Sequence, residues 1–126
     1  MAKSATDLVK EAKQNIENLT PDQVHEELKN GNATLIDIRE SEELTQNGKI
    51  AGSVHSPRGM IEFHADETLP YHKPEFDKNK RLILHCASGG RSALATSTLK
   101  QMGYKNVAHL DGGYKAWKEG GYPVTE

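Results

Sequence analysis

The chain has 126 residues, 35% of them hydrophobic and 27% charged, with a net charge of -2. That is the size of one ordinary domain, able to bury a core without staples. It is too aliphatic for a disordered chain and lacks the basic surplus expected of a nucleic-acid partner.

Ser4 to Asp7 fits a capping box, and Ala5, Leu8, Val9 and Ala12 recur at helical spacing. They predict a first helix from about Ser4 to Lys13 whose apolar stripe packs on its own domain or docks a partner. Thr20-Pro21-Asp22-Gln23 starts a second helix, with a capping threonine and proline at the first position. It stops near Lys29 at Asn30-Gly31. Ala33 to Ile38 is a short apolar, β-branched run and reads as a buried strand. Ser41 is read as the cap of a short acidic helix ending near Asn47-Gly48, followed by a weaker strand at Ser53 to Ser56.

The stretch from Pro57 to Asp77 holds three of the five prolines and predicts loop with one helical turn near Met60. Lys80 to His85 is the clearest buried strand. Ser92 to Met102 is helical and stops at Gly103. Asn106 to Leu110 is the last strand, and Asp111-Gly112-Gly113 turns into a short helix anchored by Trp117. Strands alternating with helices imply an α/β domain with a mainly parallel sheet covered on both faces.

The chemistry concentrates in Cys86-Ala87-Ser88-Gly89-Gly90-Arg91-Ser92. A buried strand ends at the only cysteine, a loop of small residues follows, and a helix begins. Ligands of open parallel sheets bind at this end of the strands. A thiol attacks as its thiolate, which a helix N-terminus and inward-pointing N–H groups favour. Gly89 and Gly90 allow that inward curl, and Ala87 and Ser88 leave the cradle open. Arg91 adds a fixed cation suited to an oxyanion.

With Leu35-Ile36-Asp37-Ile38-Arg39-Glu40 and Asp111-Gly112-Gly113 through Trp117, this loop resembles the three signatures of the rhodanese-like family, in the family's order. The likeness covers about Ile16 to Val124. It implies a doubly wound rhodanese-like domain over 16–126, with a central, mainly parallel sheet of about five strands. Residues 1–15 are then an N-terminal helical extension, and a short strand, rather than more helix, occupies Ile16 to Leu19. Lys49 and Ala51 stand where many members have histidine and proline, in a segment that is mostly structural.

The resemblance also implies sulfur transfer through a persulfide on Cys86, with Ala87 to Ser92 binding the substrate. The partners would be a small anionic donor such as thiosulfate and an external acceptor: cyanide, a small thiol or a protein thiol. A persulfide carrier or regulatory module acting on a protein partner is the alternative. A small phosphatase or arsenate reductase is disfavoured, because related phosphatases place their arginine six positions after the cysteine. Here Arg91 is five positions after Cys86.

Asp37 and Arg39, two apart at a strand end, share a side and read as structural support. Arg58 stands either at the pocket mouth, attracting anionic donors, or as a solvated surface arginine. His85 should face away from Cys86 and pack in the core. The six histidines show no metal-ligand spacing, so neither metal nor cofactor is expected. One cysteine cannot form an internal disulfide, and no signal peptide or membrane-length apolar run is present, so the expected location is cytoplasmic with no membrane partner.

Overall fold

The computed structural model describes residues 2–125. In chain order the elements are α1 (Ala5–Gln14), β1 (Glu17–Leu19), α2 (Pro21–Lys29), β2 (Ala33–Asp37), α3 (Ser41–Asn47) and β3 (Val54–His55). After a 3-10 turn at Arg58–Met60 come α4 (Ile61–Ala65), β4 (Arg81–His85), α5 (Gly90–Gln101), β5 (Val107–Leu110) and α6 (Gly113–Glu119).

The helix starts are chemically defined. Ser4 Oγ accepts the Asp7 N–H at 3.0 Å while the Asp7 carboxylate accepts the Ser4 N–H at 3.1 Å. Thr20 and Gln23 make the same reciprocal pair at 3.1 and 2.9 Å. Two starts differ from the sequence reading. Glu40, extended at φ -75° and ψ 152°, caps α3, so Ser41 is already helical; the Glu40 N–H donates to Glu43 Oε1 at 3.0 Å. α5 begins at Gly90, two residues before Ser92, because Gly89 takes a left-handed conformation and closes the loop early. The proline-rich stretch after Pro57 also holds more helix than expected, since Ile61 and Ala65 bury one face of α4.

The sheet order is β1-β5-β4-β2-β3, with every pairing parallel. Alternation along the strands divides the core into two layers. Ile36, Leu82, Leu84, Cys86 and Val107 lie on one face with Ala95 and Leu99 of α5 and Ile61 and Ala65 of α4. Leu35, Ile83, Ala108 and Leu110 lie on the other with Val24 of α2 and Trp117 of α6. Trp117 anchors α6, its indole N–H donating to the Pro123 carbonyl at 2.8 Å.

α1 packs against α5 and buries Ala12. Lys13 pairs with Asp111 at 2.9 Å, and Lys100 Nζ donates to the Asn15 carbonyl. Among the described residues no helix is long and apolar enough to cross a membrane.

Candidate active site

β4 delivers Cys86 to the carboxyl end of the sheet, and the loop folds back over it. Cys86 is 1% exposed. Its Sγ accepts the Gly89 N–H at 3.2 Å and the Ser92 N–H at 3.3 Å, with Ser92 Oγ 3.5 Å away. The inward turn requires Gly89, whose φ of +108° lies where L side chains are strained. The sulfur therefore sits in main-chain N–H groups at the start of a 12-residue helix, an environment that favours negative charge. Ala87 and Gly90 are half-buried, and Ser88 is exposed at the rim.

α6 braces the loop from behind. The Tyr114 N–H donates to the Cys86 carbonyl at 2.8 Å and the Lys115 N–H to the Ala87 carbonyl at 3.0 Å. This approach needs Gly113: a Cβ there would lie 2.6 Å from both carbonyl oxygens. The Gly-Gly pair that reads as a turn in sequence is thus also a contact surface for the cysteine loop.

The two arginines expected near an anion both have carboxylate partners. Arg91 makes two hydrogen bonds to Glu43, at 2.7 and 2.9 Å. These bonds hold the Glu43 carboxyl down at about 2, against the opposing effect of burial. Arg58 pairs with Glu62 at 2.9 and 3.1 Å and lines the cleft where Leu8 and Ala12 of α1 face Leu94 of α5.

Asp37 and Arg39 form a buried support beneath the sheet end. Arg39 Nε and Nη2 bond the Asp37 carboxylate at 3.0 and 2.8 Å, and Nη2 also reaches the Gly48 carbonyl at 2.9 Å. The guanidinium stacks 4.3 Å from the Tyr114 ring centroid. Burial pushes the Asp37 carboxyl up, but Arg39 and His85 outweigh it and hold it below its usual value. His85 faces this layer, opposite to Cys86. Its Nε2 lies 3.5 Å from Asp37 Oδ2 without a hydrogen bond, and burial pulls the imidazole down to about 4.

Three neighbours of the site escape sequence reasoning. Glu43 stands 48 residues from Arg91, with no spacing signal to link them. His109 Nδ1 lies 2.9 Å from Ser92 Oγ, and Asn18 Oδ1 lies 2.8 Å from His109 Nε2. Strand parity could have found His109: it sits beside Leu84 in the β4–β5 register, on the face that Cys86 continues. Among the described residues no three His, Cys, Asp or Glu side chains converge as a metal-ligand set.

Comparison with known proteins places this geometry in a family. The model of the rhodanese-like domain matches residues 20–120. A sulfurtransferase of Allochromatium vinosum is 34% identical over 91 residues, covering 72% of this chain and 77% of its own. The mouse thiosulfate sulfurtransferase/rhodanese-like domain-containing protein 3 is 31% identical over 101 residues, covering 73% of this chain; the chain spans only 60% of that protein. A Rhodopseudomonas palustris protein of unknown function, described as a possible tyrosine phosphatase, superposes with a TM-score of 0.93 at 40% identity, covering 98% of this chain and 96% of its own. The chain belongs to the rhodanese-like domain family and has sulfurtransferases among its relatives.

Proposed function

We propose that the protein moves a sulfane sulfur from a small anionic donor such as thiosulfate to a thiophilic acceptor, through a persulfide on Cys86. The observation that carries this reading is the ring around Cys86 Sγ, with N–H groups of Gly89 and Ser92 at 3.2 and 3.3 Å. The Cys86 thiolate attacks the outer sulfur of the donor. The S–S bond of the donor breaks, sulfite leaves with the electron pair, and a persulfide remains. The N–H groups and the start of α5 offer partial positive charge to its terminal sulfur. An external nucleophile then takes that sulfur and regenerates the thiolate. The sequence holds no second cysteine to resolve the persulfide, so the acceptor is cyanide, a small thiol or a protein thiol.

One observation favours a second reading, a persulfide carrier that receives sulfur from a protein partner. Arg91 and Arg58 are each joined to a carboxylate, which reduces the positive potential available to a free anion. A phosphatase is less compatible with the site, because Arg91 is both five positions from Cys86 and already occupied by Glu43.

Intact mass after incubation with thiosulfate tests the proposal. Wild type should gain one sulfur atom, and Cys86→Ser should gain none. Absence of the gain with thiosulfate, but its appearance with a persulfidated protein donor, would favour the carrier. Efficient hydrolysis of p-nitrophenyl phosphate through Cys86, with no sulfur gain, would overturn both.

A further inference from the structure

Behind the cysteine loop lies a buried titratable group that the sulfur chemistry above does not use. His109 and Ser92 are both fully buried, and together with Asn18 they form a chain of hydrogen bonds ending at Cys86. Its direction can be worked out from the outer end. Asn18 Nδ2 donates to the Lys13 carbonyl at 2.9 Å and to the Ile16 carbonyl at 3.2 Å. Only an amide nitrogen can serve two carbonyls, so Oδ1 is the atom facing His109 Nε2 at 2.8 Å. An acceptor there requires Nε2 to carry the proton in the neutral ring. Nδ1 is then an acceptor, and the Ser92 hydroxyl at 2.9 Å donates to it. The Gly89 carbonyl, also near Ser92 Oγ, is more distant at 3.3 Å. With its one proton directed to His109, Ser92 Oγ offers a lone pair to the Cys86 thiol at 3.5 Å.

We propose that His109, through the Ser92 hydroxyl, takes up the proton of Cys86, so that the thiolate forms as an ion pair with a buried imidazolium. The Cys86 S–H bond breaks and Sγ keeps the electron pair. Its proton passes to Ser92 Oγ as the serine's own proton passes to His109 Nδ1. No atom or charge enters or leaves. Afterwards His109 donates from both nitrogens, to Asn18 and to Ser92, and Ser92 donates to the thiolate. Every polar atom of the chain stays satisfied in both states.

The surroundings fit a proton acceptor that works only with this partner. Burial pulls His109 down to about 4; Asp111 opposes that pull and Lys13 adds to it. Those two charged groups pair with each other at 2.9 Å, so neither is left alone beside the ring. A solitary charge on His109 is therefore disfavoured. A proton supplied by Cys86 instead creates two opposite charges one hydroxyl apart, and their attraction in a dry site opposes the burial penalty. The inference deepens the sulfur-transfer reading and rests on Cys86 being its nucleophile, but it concerns the resting enzyme and needs no sulfur donor.

The test follows iodoacetamide alkylation of Cys86 against pH in wild type, His109→Gln and Ser92→Ala, without donor. Glutamine can keep a hydrogen bond to Ser92 but cannot take a proton. Both variants should react about ten-fold more slowly at neutral pH and converge with wild type in alkali, where hydroxide removes the proton. A His109→Gln profile that superimposes on wild type would overturn the proposal. So would one depressed by the same factor at every pH, which would make His109 only a support of the loop. Nitrogen-15 spectra of wild-type His109 provide a reading independent of any variant's folding: Nδ1 should carry a proton at neutral pH, where thiolate absorbance is already present, and lose it only in alkali, and an Nδ1 that is bare while the thiolate is present at neutral pH refutes the relay. Normal sulfur gain with superimposed profiles rejects the relay alone. Converging profiles without sulfur gain reject only the sulfur-transfer reading.

Discussion

Glu43→Gln should strengthen the use of an anionic donor, because it releases the cation best placed to meet one. Arg91 is the loop arginine, and both of its hydrogen bonds at 2.7 and 2.9 Å end on Glu43. Glutamine keeps the size of the side chain and an oxygen that can still accept the Glu40 N–H, so α3 should survive. What disappears is a full negative charge beside the pocket. A hydrogen bond to a charged group is worth roughly 1.5–3 kcal/mol. The Arg91 and Glu43 side chains are 38% and 28% exposed, so solvent screening reduces the usable part to about 1 kcal/mol. That corresponds to roughly a five-fold fall in KM for thiosulfate. Thiocyanate formation from thiosulfate and cyanide provides the assay, with thermal melting to confirm folding. The benefit should fade as ionic strength rises, since the gain is electrostatic at a partly exposed site. A folded variant with unchanged or higher KM would show that Arg91 does not contact the donor.

Two further outcomes follow from other parts of the fold. His85 and His109 are each pulled down to about 4 by burial, whereas an unfolded histidine titrates near about 6.5. Between those values the unfolded chain binds more protons, so stability should be flat just above about 6.5 and fall as pH drops toward about 4; an equal urea midpoint at about pH 7 and about pH 5 would contradict this. Gly113→Ala would place a Cβ 2.6 Å from the Cys86 and Ala87 carbonyl oxygens at a φ of +63°. The left-handed conformation alone costs about 1–2 kcal/mol, and the clash adds to it, so Tm should fall by more than about 5 °C and thiosulfate turnover should drop; a wild-type melting curve would show that α6 can move away freely.

Features written locally were legible in the sequence. The Ser4–Asp7 and Thr20–Gln23 boxes, the β-branched runs of β2 and β4, and the strand–cysteine–glycine–helix order all act within a few residues. Each marks its element without reference to distant residues. The two misplaced helix starts have the same local origin: Glu40 and Gly89 cap through backbone conformation, which residue type alone specifies weakly. The alternation of His85 and Cys86 was also readable, because strand parity sends neighbours to opposite faces.

The unread part of the site is made of long-range pairs. Arg91 reads as a cation for an oxyanion because its partner Glu43 belongs to α3, an element whose acidic residues look like an ordinary solvated face. Ser92 reads as a helix start that binds substrate, with no partner in view, because His109 comes from β5 and Asn18 from β1, strands that flank each other only after the sheet has assembled in the order β1-β5-β4. The same assembly brings Gly113 against the Cys86 carbonyl. A parallel sheet gathers its strand ends along one edge, so residues dozens of positions apart become neighbours of a single sulfur. The thiol and its cradle come from one contiguous segment, and the side chains linked to Arg91 and Ser92 come from three other elements, α3, β5 and β1. The cysteine loop is therefore written in the sequence, while the side chains that hydrogen-bond Arg91 and Ser92 reach them only in the folded sheet.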